Sequence, residues 1–264
     1  MSEASKPELQ QRLELRRLGS YTTARVERGR VTHVERHVMR LIRDAGRLGL
    51  APPSPRSIEA LFWKTAKAEF PRANGIVRLD WSRPLDSPEQ TPELIATTRP
   101  LGDLARRWRA KSSETLHPGP ETRRNAKAIG VPSYDAAREE MRIGGIEEVL
   151  LFSEAGWLVE GCRSNLIIVQ EDGRWITPDL ALGGVEGLGL EIIGKNRREL
   201  SWGRIDRVAL LGARELIATN AVRGAVPIIE FDGRPVGTGT EGPVARALAL
   251  LFGHCPASYS EDPP

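Results

Sequence analysis

Cysteine is almost missing: Cys162 and Cys255 are the only two in 264 residues. Two thiols so far apart make neither a disulfide framework nor a metal-ligand spacing, which points to a reducing, cytoplasmic compartment. Long apolar runs are missing as well. The longest, such as 208–211 and 247–252, fall far short of the roughly 18 residues of a membrane span, so no membrane partner is expected. The opening MSEASKPELQQRLELRR has no apolar segment of the secretory kind. Nor is there an excess of one charge: 38 Lys+Arg against 35 Asp+Glu leave +3. The two signs are interspersed, which predicts a solvated mixed surface and no nucleic-acid partner. With 40% hydrophobic residues and so small a net charge, disorder as the main state is excluded. Lysine is scarce too. Only Lys6, Lys64, Lys67, Lys111, Lys127 and Lys195 occur among the 38 basic residues, so lysine-based chemistry has a short roster.

What is present is an alternation of strand and helix patterns, in a chain long enough to bury a core without staples. The first 15 or so residues are polar and read as frayed or helical. Residues 21–26 (YTTARV) are β-branched and aromatic, and a turn at 27–29 leads to a paired strand over 30–34. Val38, Leu41, Ile42, Ala45 and Leu48 recur at helical spacing over 35–48. A second helix is expected over 57–70, then strands over 75–81 and 94–98. The polar, Pro- and Gly-bearing stretch 112–124 reads as a linker. Beyond it come a helix over 133–143, strands at 147–152, 157–160 and 165–170, and a glycine-rich stretch 183–189 before a helical run 190–200. Strands at 215–219 and 226–231 and a helix at 243–251 close the chain, while 209–213 is too short to assign. The expected architecture is α/β (α+β): a small N-terminal unit over 1–111, the linker, and a larger unit over 125–264.

Several chemistries can be set aside. Residues 189–196 come close to a phosphate-loop pattern, but Asn196 replaces the magnesium-binding hydroxyl and the segment reads as helix interior. His33 and His37 lack a glutamate directly after the first, and His117 and His254 supply no obvious third ligand, so no metal is expected. No nucleophile elbow and no dinucleotide fingerprint occurs. The second half offers something else: a lysine after the linker, an acid on a strand–turn element, a glycine-rich helix start and a strand ending in Thr219-Asn220. These are the parts that a pyridoxal-phosphate site requires. A lysine holds the cofactor as a Schiff base, an acid pairs with the pyridine nitrogen, and helix N-terminal amides hold the phosphate.

Four segments, TTARVERGRVTHVERHVMRL (22–41), EEVLLFSEAGWLVEGCRSNLIIV (147–169), ITPDLALGGVEGLGLE (176–191) and ELIATNAVRGAVPI (215–228), carry a resemblance in matching order. The chain resembles the class IV, fold-type IV pyridoxal-phosphate enzymes: branched-chain aminotransferases, D-amino-acid aminotransferases and aminodeoxychorismate lyase. The resemblance implies a two-domain fold with the cofactor in the cleft between domains, and a homodimer. It places Lys127 as the Schiff-base lysine and Glu160 as the acid on the pyridinium nitrogen. It assigns Arg40 to the phosphate, with Gly187, Leu188 and Gly189 at the helix start and Asn220 and Ala221 as a second phosphate contact. Tyr21 and Thr22 line the substrate side. The chain departs from the family in reading Arg16-Arg17-Leu18-Gly19 before the YTT strand and Leu190 where an arginine is usual.

Two reactions follow from the resemblance. A lyase would release pyruvate from aminodeoxychorismate and leave 4-aminobenzoate, a folate precursor, with Thr22 or Thr23 delivering a proton. An aminotransferase would move the α-proton with Lys127 as acid/base and bind a second keto acid. The short chain and the segments TTARV, HVMRL and TNAVRGAVPI favour the lyase, with the aminotransferase as the alternative. A noncatalytic protein on the same fold is the remaining reading. Arg25, Arg78, Arg99 and Arg223 are candidates for substrate carboxylates, with no basis in sequence for choosing among them.

Overall fold

The computed structural model describes residues 17–102, 105–196 and 200–252. The N-terminal stretch, His254 and Cys255 lie outside them. Two sheets form the framework. Strand β1 (Arg17–Glu27) turns through Arg28 and Gly29, both at positive φ (48° and 78°), into the two-residue β2 (Arg30–Val31). That pair of left-handed residues matches the twist of a tight hairpin. The second strand stops earlier than expected because His33 is left-handed (φ 51°) and caps helix α1 (Val34–Arg47). Helix α2 (Pro55–Glu69) follows. Strand β3 (Asn74–Pro84) then runs antiparallel to all of β1, and β4 (Glu93–Pro100) pairs its other edge.

Alternation along these strands separates two faces. Ala24, Val26, Val77 and Leu79 pack with Leu41 of α1 and with Ile58 and Phe62 of α2. Tyr21, Thr23, Ile76, Arg78, Thr97 and Arg99 line the cleft on the opposite side.

The second sheet holds β5 (Trp108–Ser112), β6 (Glu148–Phe152), β7 (Leu158–Gly161), β8 (Asn165–Val169), β9 (Trp175–Pro178), β10 (Leu200–Gly203), β11 (Glu215–Asn220), β12 (Gly224–Phe231) and β13 (Arg234–Pro235). Their order is β10-β9-β8-β11-β12-β5-β6-β7, with β13 against β12. Strand β5 is parallel to both neighbours, whereas β11 is antiparallel to both of its own, β8 and β12. Helices α3 (Pro120–Arg123), α4 (Pro132–Gly144), α5 (Leu188–Asn196), α6 (Arg207–Leu211) and α7 (Pro243–Ala249) complete the fold. All five residues of β8 are buried. Leu166 and Ile168 face a core with Trp108 and Phe231, while Ile167 and Val169 face one with Ile193 and Leu248. Burial on both faces explains the continuous apolar run NLIIV, which shows no polar alternation.

Two expectations need correction. Residues 108–111, counted with the N-terminal unit, belong with Ser112 to a strand of the second sheet, so the chain changes sheets between Pro100 and Trp108. Segment 112–124 is packed rather than free. Glu140 accepts hydrogen bonds from the Ser113 and Thr115 hydroxyls (2.9 and 3.0 Å), and His117 and Arg123 are buried. Its prolines and glycines shape turns and the start of α3, a use of these residues that composition cannot separate from flexibility.

Candidate active site

A cleft of about 770 Å³ lies between the sheets and is lined by both. Lys127 enters it from the turn after α3, half-buried. Its N–H donates to Asp44 Oδ2 (3.0 Å), its carbonyl accepts from Tyr21 N–H (2.9 Å), and Ala128 bridges to Ser20. The Lys127 ammonium stands 4.8 Å from the Tyr21 ring centre, and the Arg78 guanidinium 4.1 Å from it. Burial pushes the Tyr21 hydroxyl up, but the charges of Lys127 and Arg78 outweigh it and leave the phenol below its ordinary value.

Glu160 sits at the end of β7, 3% exposed. Its Oε2 accepts from Val185 N–H (2.9 Å) and Asn165 Nδ2 (3.3 Å), and its Oε1 accepts from the Tyr134 hydroxyl. Arg123 Nη1 and His117 Nε2 lie 3.5 and 3.7 Å from Oε1. Burial alone would push this carboxyl up. The His117 hydrogen bond and the Arg123 charge reverse that and hold it below the ordinary range, so Glu160 stays ionised. Tyr134 moves the other way: burial and the charge of Glu160 push it well up, and it remains a donor. None of the residues supporting Glu160 was singled out for that role from sequence. Only the SNL that follows Glu160, which contains Asn165, carried a signal.

The buried donors on the cleft wall with no hydrogen-bond acceptor among the described residues include Arg40 Nε on α1 and the Thr219 hydroxyl on β11. Burial lowers Arg40 to about 10, still a cation at neutral pH, while its Nη2 donates to the Glu186 carbonyl (3.2 Å). Between them comes the N-terminus of α5 at Leu188 and Gly189. A side chain at Gly189 would collide with the Thr219 hydroxyl and lie 3.1 Å from the Asn220 nitrogen, so glycine keeps the cradle open. A guanidinium, a hydroxyl and helix N-terminal amides suit a phosphate. Together with Lys127 and Glu160, they fit pyridoxal phosphate.

The remaining expected residues divide. Asn220 and Ala221 line the cleft. The Asn220 side chain is committed elsewhere, however: Oδ1 accepts from Val222 and Arg223 N–H (3.0 and 2.8 Å) and Nδ2 donates to the Arg163 carbonyl (3.2 Å). The free side-chain donor at this spot belongs to Thr219, one residue earlier. Arg99 and Arg223 line the cleft, as does Arg78, paired to Asp80 at 2.6 Å. Arg25 does not; it is buried on β1 with Nε on Glu27 (2.8 Å). Thr22 is also misplaced by the sequence reading. Strand alternation turns it away from Tyr21 and Thr23, and its hydroxyl bonds the buried His37 Nδ1 (2.7 Å), so Thr23 is the threonine on the cleft. Residues 189–195 are helical, as expected, and no cluster of His, Cys, Asp and Glu able to hold a metal occurs among the described residues.

Comparison with known proteins bears on this arrangement. The sequence model of the family described as amino-transferase class IV matches residues 19–231. The branched-chain-amino-acid aminotransferase of Pseudomonas aeruginosa is 31% identical over 119 residues, 44% of this chain and 38% of that protein. A probable branched-chain-amino-acid aminotransferase of Aquifex aeolicus is 29% identical over 121 residues, 44% and 39% respectively. The matched stretch thus spans well under half of these relatives. Among solved structures, the branched-chain aminotransferase of Thermoproteus uzoniensis with norvaline superposes with a TM-score of 0.78 at 25% identity, covering 89% of this chain and 84% of that one. A hypothetical aminotransferase from Mycobacterium tuberculosis, in a PLP-bound form, superposes at 0.75 and 19% identity, covering 96% and 93%. The likeness extends over both sheets.

Proposed function

The chain belongs to the amino-transferase class IV family, and from that premise we propose that it binds pyridoxal phosphate and transfers an amino group between an amino acid and a 2-keto acid. The observation that carries this reading is one cleft holding a backbone-anchored lysine, an ionised buried glutamate and a phosphate-shaped cradle with two unpartnered donors. When bound, the cofactor supplies a ring that withdraws electrons from the substrate's α-carbon. Arg40, Thr219 and the amides at the start of α5 would hold its phosphate, and Glu160 would balance the charge on its ring nitrogen. Lys127 is the amine that would attach it. Lys127 Nζ would also take the substrate's α-proton and return it, as general base and acid. Tyr21 keeps the lysine over the cleft, and Asp44 and Tyr21 hold its backbone in place.

The lyase reading has less support. The curated relatives that match carry branched-chain aminotransferase names. The homodimer and the cytoplasmic location rest on family resemblance and composition. They belong to the same proposal, and sedimentation checks the first. The test of the function is the visible absorption of purified protein with pyridoxal phosphate, before and after borohydride, for wild type and Lys127→Ala. We expect a band that borohydride removes in wild type and no such band in the variant. Absence of the band in wild type would replace this reading with a noncatalytic one. Amino transfer assayed against pyruvate release from aminodeoxychorismate then separates the two reactions.

A further inference from the structure

Lys127 and the backbone amides of the cradle belong to separate stretches of chain, the lysine to the turn after α3 and the amides to the start of α5. A cofactor held at both ends requires those stretches at one fixed separation. Asn125, two positions before the lysine, joins them. Arg124 and Asn125 are both left-handed (φ 49° and 61°) as the chain leaves α3. Asparagine adopts that backbone more readily than most residues bearing a side chain.

The Asn125 amide nitrogen uses both of its N–H groups on the opposite stretch, donating to the Leu180 carbonyl (2.6 Å) and the Gly184 carbonyl (2.8 Å). Its own backbone carbonyl accepts from Glu186 N–H (3.3 Å) and from Arg47 Nη1 (3.4 Å). Side chain and backbone of one residue thus bracket 180–186, the connection that runs into α5. Gly183, between the two bonded carbonyls, is left-handed (φ 98°), and a side chain there would come within 2.6 Å of the Pro120 nitrogen. The two stretches are therefore in direct contact as well as bonded. The same connection is pinned again at Val185, whose N–H donates to Glu160 and whose carbonyl accepts from Asn165 (both 2.9 Å). Asn125 itself is not among the residues lining the cleft.

We propose that Asn125 is a positioning residue that fixes the separation between Lys127 and the start of α5, so that a ligand anchored at both places gains from the two anchors together. This rests on the cofactor reading above and names the residue that keeps its two ends in register. Without the clamp each anchor survives, and only their cooperation weakens. The second attachment of a two-ended ligand depends on an effective concentration, which falls when the span no longer matches.

The test titrates the full chain, stripped of cofactor, with three probes. Pyridoxal phosphate carries both ends, pyridoxal only the aldehyde, and inorganic phosphate only the anion. The first two are followed by the borohydride-sensitive band and the third by calorimetry. Asn125→Gly keeps the left-handed backbone and loses both donors, and Asn125→Asp keeps the size and loses them too. In each variant the affinity for pyridoxal phosphate should fall at least about tenfold, while pyridoxal and phosphate each bind within about twofold of wild type. Unchanged pyridoxal phosphate affinity in either variant would overturn the proposal. So would a parallel loss for all three probes, which would make Asn125 a general support of the fold. Failure of the cofactor reading shows separately, as absence of the band when wild type meets pyridoxal phosphate, whatever the variants do.

Discussion

Glu148 and Glu160 are both fully buried glutamates on neighbouring strands, and their surroundings move them in opposite directions. Glu160 is held ionised by His117, Arg123 and Tyr134. Around Glu148, burial outweighs the Ser164 hydroxyl (2.6 Å) and the charge of Arg163, and lifts the carboxyl to about 7 from an ordinary 4.5. Between those values the folded chain keeps a proton that the unfolded chain has released. Stability from this group is therefore full below pH 4.5, falls as pH rises through the window, and is gone above 7. A shift of that size corresponds to about 3 kcal/mol. Urea melts at pH 5 and pH 8 should show this loss in wild type, and Glu148→Gln should remove it while keeping the Ser164 bond. An unchanged slope in the variant would count against it. Sequence pointed to Glu160 through its family position. Nothing in the residues around Glu148 distinguished it from a surface acid, because the difference lies in partners distant along the chain.

At the scale of the element, α1 does two jobs from positions four residues apart, which share one helix face. Arg40 turns toward the cradle, and Asp44, wholly buried, accepts the Lys127 N–H while bonding Arg43 at 2.9 Å. The helix thus sets the distance between the phosphate site and the reactive lysine. Asp44→Ala would leave the Lys127 amide without its acceptor and Arg43 with Glu186 alone, at a cost of about 2–3 kcal/mol. The expected outcome is a lower melting temperature together with weaker cofactor retention on dialysis, partly restored in Asp44→Asn. If cofactor retention is unaffected, Asp44 serves stability alone. Helical periodicity made α1 legible and the resemblance placed Arg40; Asp44 was not visible, since its partner lies 83 residues away.

For the whole molecule, the cleft is made where the polar face of a four-stranded sheet meets the edge and turns of a nine-stranded one. Trp108 links the second core to this cleft. It is 2% exposed among Leu150, Leu166 and Ile228, and it also supports Arg163. Trp108→Ala should cost about 3–5 kcal/mol, read by chemical denaturation. A variant that keeps full stability would show that the Trp108 ring adds nothing to the core around Leu150, Leu166 and Ile228.

Local sequence determined the elements and the reactive pair. Helices α1, α2 and α4 and most strands follow from apolar spacing and turn residues, because both signals act within a few residues. Lys127 and Glu160 stood out because one lysine and one acid fell in a familiar frame. Tertiary structure decided what that frame could not. Strand β5, only five residues long and half polar, is a strand because β6 and β12 flank it on both sides. Segment 112–124 is structure because Glu140 and Glu160 hold it. The choice of Thr23 over Thr22 and of the Thr219 hydroxyl over the Asn220 side chain depended on which face each strand turns to the cleft. That is set by the packing of two sheets against each other, a long-range outcome that no short window of sequence contains.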